Sequence, residues 1–295
     1  MQGDVTLILS DGRELSYVEH GFPTGYPVFY FHGFPGSRLQ ASDFHTFAYT
    51  KRCRLFGIDR PGMGLSTFNR QGTLLSWAND ITELANSLGI SKFSIIAHSG
   101  GAPFALACGY ALPQRVSHIA LVSGMPPTTL PEAVVDMQLG FRVINMLVRN
   151  VPGFPRLLMY LQKNILLKPA IFERIMQQMP IIDREIFKHL NIKERLLMAS
   201  KEAFCQGITG AAYEFRLITK KWGFNLEDID IPVSIWQGGL DPQVPASSAR
   251  FFSSRLPNST LKLLEHDAHL SVLYNYIEEI FEVTVPEAGE TPPNV

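Results

Sequence analysis

The run Phe93-Ser94-Ile95-Ile96-Ala97-His98-Ser99-Gly100-Gly101 constrains this chain more than any other stretch. Phe93 to Ala97 is a short run of strand type, and Ala102 to Leu112 reads as a helix of mostly small apolar residues. A strand that turns at once into a helix makes a crowded bend. Ala97, Gly100 and Gly101 leave room for it, since glycine tolerates strained backbone and close approach. Such a bend lifts the Ser99 hydroxyl over the amino end of the helix, where unpaired N–H groups favour a developing negative charge. The plainer alternative is a serine capping a helix. The rest of the chain bears on the choice.

Eight segments read as strands. Val5–Ser10 and Glu14–His20 alternate and meet at Asp11-Gly12, a hairpin turn signal. Val28–Phe31, Arg54–Ile58, Phe93–Ala97, Val116–Ser123, Val233–Gln237 and Thr260–Leu264 are short and largely apolar, as expected of strands covered on both faces. Helical segments lie between them: Leu39–Thr50, Ser76–Leu88, Ala102–Leu112, Ala246–Arg255 and a closing helix Leu270–Val283. This alternation predicts an α/β fold, a mostly parallel eight-stranded sheet with helices on both faces. Ligands in such sheets bind beyond the carboxyl ends of the strands. Ser99, Phe34 and Asp59 all fall just past strand ends.

From Met125 to Asp228 the pattern changes. Glu132–Val148, Pro155–Leu167, Ile171–Met179, Arg184–Leu197 and Ala211–Thr219 read as helices parted by proline or glycine, with no strand between them. Residues 125–224 hold fourteen Lys and Arg against eight Asp and Glu, a local +6, so the remainder carries −7 within an overall −1. The expected division is an α/β core over 1–124 and 229–285 with a cationic helical cap inserted at 125–228. The tail Pro286–Val295, rich in Pro, Glu and Gly, is read as disordered.

With 18% charged residues and little net charge, nothing in the composition draws the chain toward nucleic acid. Cys53, Cys108 and Cys205 are odd in number and far apart, which points to a reducing compartment and a cytoplasmic location. The start lacks a signal-peptide pattern, and no apolar run of about 18 residues suggests an integral membrane segment. Neither cofactor nor metal is expected.

A serine needs a base to take its proton, and histidine is suited to that near neutral pH. A carboxylate then fixes the imidazole tautomer. Asp241 and His269, each in a loop just past a strand, supply both, giving the order serine, acid, histidine. His266 is a rival base. Asp228, Asp230 and Asp267 are rival acids, but the first two precede their strand and Asp267 reads as a solvated loop residue. His98 is expected to pack beneath the turn, and Asp59–Ser66 to shape a loop.

Five segments in this order, His32-Gly33-Phe34-Pro35-Gly36, Asp59–Ser66, Ala97-His98-Ser99-Gly100-Gly101, Gly239-Leu240-Asp241 and Ala268-His269, resemble the α/β-hydrolase superfamily in its capped form. The elbow departs from G-x-S-x-G by having Ala97 first. The resemblance implies Ser99 as nucleophile, Asp241 as acid and His269 as base, with an oxyanion hole from the backbone N–H groups of Phe34 and Gly100. It implies a serine hydrolase acting on a small molecule, and the Met- and Phe-rich cap points to a small apolar ester. Carbon–carbon bond hydrolases, lactonases, aminopeptidases and haloperoxidase-like members share the scaffold, and a non-catalytic binding protein is the reading from another class. Ser99 argues against epoxide hydrolases and haloalkane dehalogenases, which carry aspartate there. Arg142, Arg149, Arg156, Lys163 and Lys168 among apolar residues leave interfacial membrane contact through the cap as a further expectation. The oligomeric state is not legible.

Overall fold

In a computed structural model, which describes residues 3–166, 168–188 and 191–285, β1 (Val5–Ile8) and β2 (Glu14–Gly21) form the expected hairpin. The strands β3 (Tyr26–Phe31), β4 (Cys53–Ile58), β5 (Phe93–His98), β6 (Val116–Val122), β7 (Val233–Gly238) and β8 (Ser259–Leu264) complete one sheet. Its order is β1-β2-β4-β3-β5-β6-β7-β8, parallel from β4 to β8 and antiparallel where β2 meets β1 and β4.

The apolar runs are explained by two cores. Along β3, Phe29 and Phe31 enter one core while Val28 and Tyr30 enter the other, as the two-residue period of a strand requires. Helices α2 (Leu74–Ser87) and α3 (Ala102–Ala111) contribute to the first core. On the opposite face pack α1 (His45–Thr50) and the last helix, so the sheet is covered on both sides. Phe29 stacks on Phe93, with ring centroids 4.4 Å apart, and burial of each such ring contributes about 2–3 kcal/mol. β5, the strand that ends at Ser99, therefore lies near the sheet centre with neighbours on both edges.

Between β6 and β7 the described residues contain helices and no strand: α4 (Leu139–Asn150), α5 (Phe154–Leu166), α6 (Pro169–Met176), α7 (Ile181–Ile186), α8 (Ile192–Glu202) and α9 (Thr209–Ile218). The sequence boundaries need correction here. The helix expected over Glu132–Val148 is a 3-10 turn, Pro131–Val134, followed by α4. The one expected over Arg184–Leu197 is two, because Asn191 adopts a left-handed φ of 58° before α8 starts. Leu39–Thr50 opens as a 3-10 turn, Arg38–Phe44. After α10 (Ala246–Arg255), the closing helix is likewise divided at Tyr276 into α11 (Ser271–Asn275) and α12 (Ile277–Thr284). The tail 286–295 lies outside the described residues.

The inserted helices share a small core of their own, in which Met159, Leu166, Phe204 and Ala211 surround Met63 from the loop after β4. Buried polar ties add to it. Arg60 is fully buried, pairs with Glu214 of α9 through two hydrogen bonds of 2.8 and 2.6 Å, and donates to the carbonyls of His32 and Gly33. Arg38 joins Asp59 to Glu202 of α8. Arg195, also on α8, pairs with the buried Asp43, which accepts from the Tyr274 hydroxyl as well.

Candidate active site

Ser99 stands where β5 gives way to the 3-10 turn Ser99–Gly101 and then α3. Its φ is +51°, a conformation costly for a residue with a Cβ and found mostly where surrounding structure enforces it. The enforcement is visible. A Cβ at Gly101 would sit 2.4 Å from the Phe31 carbonyl oxygen, and one at Gly100 would sit 2.6 Å from the Phe34 Cβ. Only glycine lets the turn press so closely on the loop after β3. The Ser99 carbonyl accepts from Met125 N–H at 3.0 Å, which ties the elbow to the end of β6.

His269 and Asp241 meet across the ends of β7 and β8. His269 Nδ1 lies 2.7 Å from Asp241 Oδ2, and both side chains are buried. The carboxylate is held in turn: Oδ1 accepts from the N–H groups of Gln243 (2.8 Å) and Val244 (3.0 Å), and Oδ2 from Gln237 Nε2 (3.2 Å). A carboxylate against Nδ1 requires the proton there and leaves Nε2 as the free base. Burial disfavours the imidazolium, but the Asp241 charge, its hydrogen bond and the Asp183 charge together outweigh it, so the His269 pKa rises above its ordinary value.

Ser99 and His269 line one cavity of about 270 Å³ and are not hydrogen-bonded to each other. Such bonds often tighten only once substrate is bound. Phe34 and Gly100 line the loops on the serine side, and neither N–H is used in the turn, loop or side-chain hydrogen bonds of the described residues. Phe172, Met176, Met179, Phe187 and Leu196 of the inserted helices wall the cavity, with Gln40, Gln162, Ser200 and Gln243 among its polar points. A larger cleft of about 460 Å³, lined by Tyr110, Trp222, Phe224 and Arg255 among others, shares no residue with it.

Among the rivals, His266 is exposed and does not line the cavity. Asp228 and Asp230 are exposed before β7 begins. Asp267, expected to be solvated, is buried and accepts from Asn275 Nδ2 at 3.0 Å, so it braces the loop before α11. His98 packs beneath the turn as expected. Burial, and then the neighbouring His269, push its pKa down to about 3, so it stays neutral. Asp59 shapes its loop by accepting from Arg38 and from Leu65 N–H. Burial outweighs those bonds and raises its pKa to about 6.

Two residues at the site were not legible in the sequence. Ser123, at the end of β6, donates its hydroxyl to the His269 carbonyl at 3.1 Å. Asp183, on α7, accepts from the backbone N–H groups of His269 (3.2 Å), Leu270 (3.0 Å) and Ser271 (2.8 Å). No local pattern marks either one, since their partners lie 146 and 86 to 88 positions further along.

Among the described residues no helix is long and apolar enough to cross a membrane. A family model described as alpha/beta hydrolase fold matches residues 26–144. The chain is 27% identical over 272 residues to a non-heme chloroperoxidase of Streptomyces lividans, covering 90% of this chain and 92% of that one. Among solved structures it is similar to a bromoperoxidase from Bacillus anthracis, with a TM-score of 0.68 and 20% identity over 95% of this chain and 98% of that one. An esterase from Exiguobacterium antarcticum aligns with a TM-score of 0.66 and 17% identity, over 94% and 96% of the two chains. With a central parallel sheet, a tight strand–serine–helix turn and the family match over residues 26–144, the chain has the α/β-hydrolase fold.

Proposed function

We propose that the protein is a serine hydrolase of carboxylesterase type, acting on a small ester with apolar parts. One observation carries the reading: a serine in an enforced left-handed turn shares a cavity with a histidine whose other nitrogen is bonded to a buried carboxylate. Ser99 Oγ attacks the carbonyl carbon and its proton passes to His269 Nε2. The oxyanion accepts from Phe34 and Gly100 N–H, a pair of donors of which each typically contributes about 3 kcal/mol. His269 then protonates the departing alkoxide, leaving an acyl group on Ser99. In the second half His269 takes a proton from water, the hydroxide attacks the acyl carbon, and Ser99 departs with the proton restored.

Residues 125–228 act in this reading as a cap that walls the acyl pocket. Its volume, below the range usual for drug-sized ligands, and its Met, Phe and Leu lining favour a short acyl or alcohol part. The buried, unpaired Cys53 and Cys108 fit a cytoplasmic location. The decisive experiment is labelling by a fluorophosphonate together with turnover of p-nitrophenyl esters of graded chain length. Labelling of Ser99 and preference for short chains are expected, and an unlabelled, inactive wild type would overturn the reading. The similarity to the S. lividans chloroperoxidase favours a second reading, peroxide-dependent halide oxidation at the same serine, which the same preparation tests with peroxide and bromide.

A further inference from the structure

All three hydrogen bonds that Asp183 accepts come from the loop that carries His269. Its carboxylate is fully buried, and its three donors are consecutive backbone N–H groups, those of His269, Leu270 and Ser271. The opposite side of the same residue is held by the core, through Ser123 Oγ to the His269 carbonyl. The backbone of His269 is thus clamped between the end of β6 and a helix of the inserted segment. His98 Nε2 lies 3.4 Å from the same carbonyl, so the peptide groups on both sides of the His269 Cα are held.

We infer that Asp183 is a positioning residue for proton transfer at Ser99, coupling the docking of α7 to the orientation of the His269 ring. The inference rests on His269 being the base. Charge supports it as well. Asp241 and Asp183 are the carboxylates that favour the imidazolium, and neutral His98 packs against the ring, with centroids 5.0 Å apart. Arg184 and Glu185 flank Asp183 on α7. A plain structural tie would stabilise the fold without touching the chemistry, as Glu202 does by pairing α8 to Arg38 away from the base.

The test compares the full-length wild type with Asp183→Asn, Asp183→Glu and Glu202→Gln. It measures ester turnover, the rate of Ser99 labelling, urea unfolding and the His269 imidazole titration by NMR. Misplacing a reacting group by about 1 Å costs up to about 100-fold, so both Asp183 variants should lose about tenfold or more in kcat while KM moves by no more than about twofold. Asp183→Asn removes a charge that raises the His269 pKa, so its titration midpoint should fall. Asp183→Glu keeps the charge and should leave the midpoint in place while still lowering kcat. Glu202→Gln should lower the urea midpoint without changing kcat or the titration. If Asp183→Asn does not fold, the kcat of Asp183→Glu decides. Asp183 variants that lose stability yet keep wild-type kcat, labelling rate and His269 midpoint would overturn the inference. A wild-type Ser99 that resists labelling while the His269 midpoint still shifts in Asp183→Asn would instead sink the hydrolase reading alone.

Discussion

The turn that presents Ser99 and the loop that presents His269 are built in opposite ways. The close contacts that shape the serine turn come from residues 31–125: the end of β3, the two glycines and the Met125 amide, with His98 beneath it touching His269. The histidine loop draws on the ends of β6 and β7 and on α7 of the inserted segment. The loop of Phe34 is intermediate, since Arg60 binds the carbonyls of His32 and Gly33 but is itself held by Glu214 of α9. The lesson is that the serine turn is set by local sequence, whereas the histidine loop and the Phe34 loop are set by segments distant along the chain. The inserted segment thus helps to hold the candidate site, in addition to walling its cavity.

If that contrast holds, its largest test is Ser99→Ala, which removes the proposed nucleophile without disturbing the frame. Turnover should fall by about 10⁴-fold or more and fluorophosphonate labelling should vanish, while urea unfolding stays near wild type. Asp241→Asn acts on the base side and should lower kcat by about 10⁴-fold, because the tautomer is no longer enforced. It also carries a pH signature. In the proposed mechanism His269 works as the neutral base and its pKa lies above the ordinary value, so wild-type kcat/KM should rise with pH through a midpoint above about 6.5. Losing the Asp241 charge should move that midpoint down. An unmoved midpoint would place the titrating group elsewhere.

Glu214→Ala addresses the intermediate loop. It leaves the Arg60 guanidinium buried without its carboxylate, which should cost about 3–5 kcal/mol in urea unfolding and lower turnover by relaxing the Gly33–Phe34 backbone. Full turnover at unchanged stability would show that the inserted helices do not govern that loop. The smallest effect is expected at Leu157→Ser on α5, where the side chain is 54% exposed. Stability should stay within about 0.5 kcal/mol and ester turnover should not change. A large loss would mean that the outward face of α5 is covered in solution.

The sheet was legible because strands buried on both faces must be apolar without interruption, as Phe29, Phe56 and Ile95 illustrate. The serine turn was legible because crowding leaves glycine little competition at positions 100 and 101. The sequence favours Asp241 over Asp228 and Asp230 because it follows a strand end, whereas the resemblance alone favours His269 over His266, since both lie past the same strand. The inserted helices were located but misbounded. Gln138 and Asn191 stand at helix starts where turns compete with helix, and the outcome depends on packing that no short window contains. Asp183 and Glu214 were invisible for the same reason in stronger form. A carboxylate on an amphipathic helix looks solvated until the fold brings backbone donors or a guanidinium against it.

The sealed Arg60–Glu214 pair has a practical corollary. Engineers who swap the segment between β6 and β7 to change what such an enzyme accepts would, in this chain, also strand a guanidinium and strip three amides of their acceptor. A working chimaera would have to restore an acid at both places, or replace Arg60 and repack its pocket, before any new specificity could be observed.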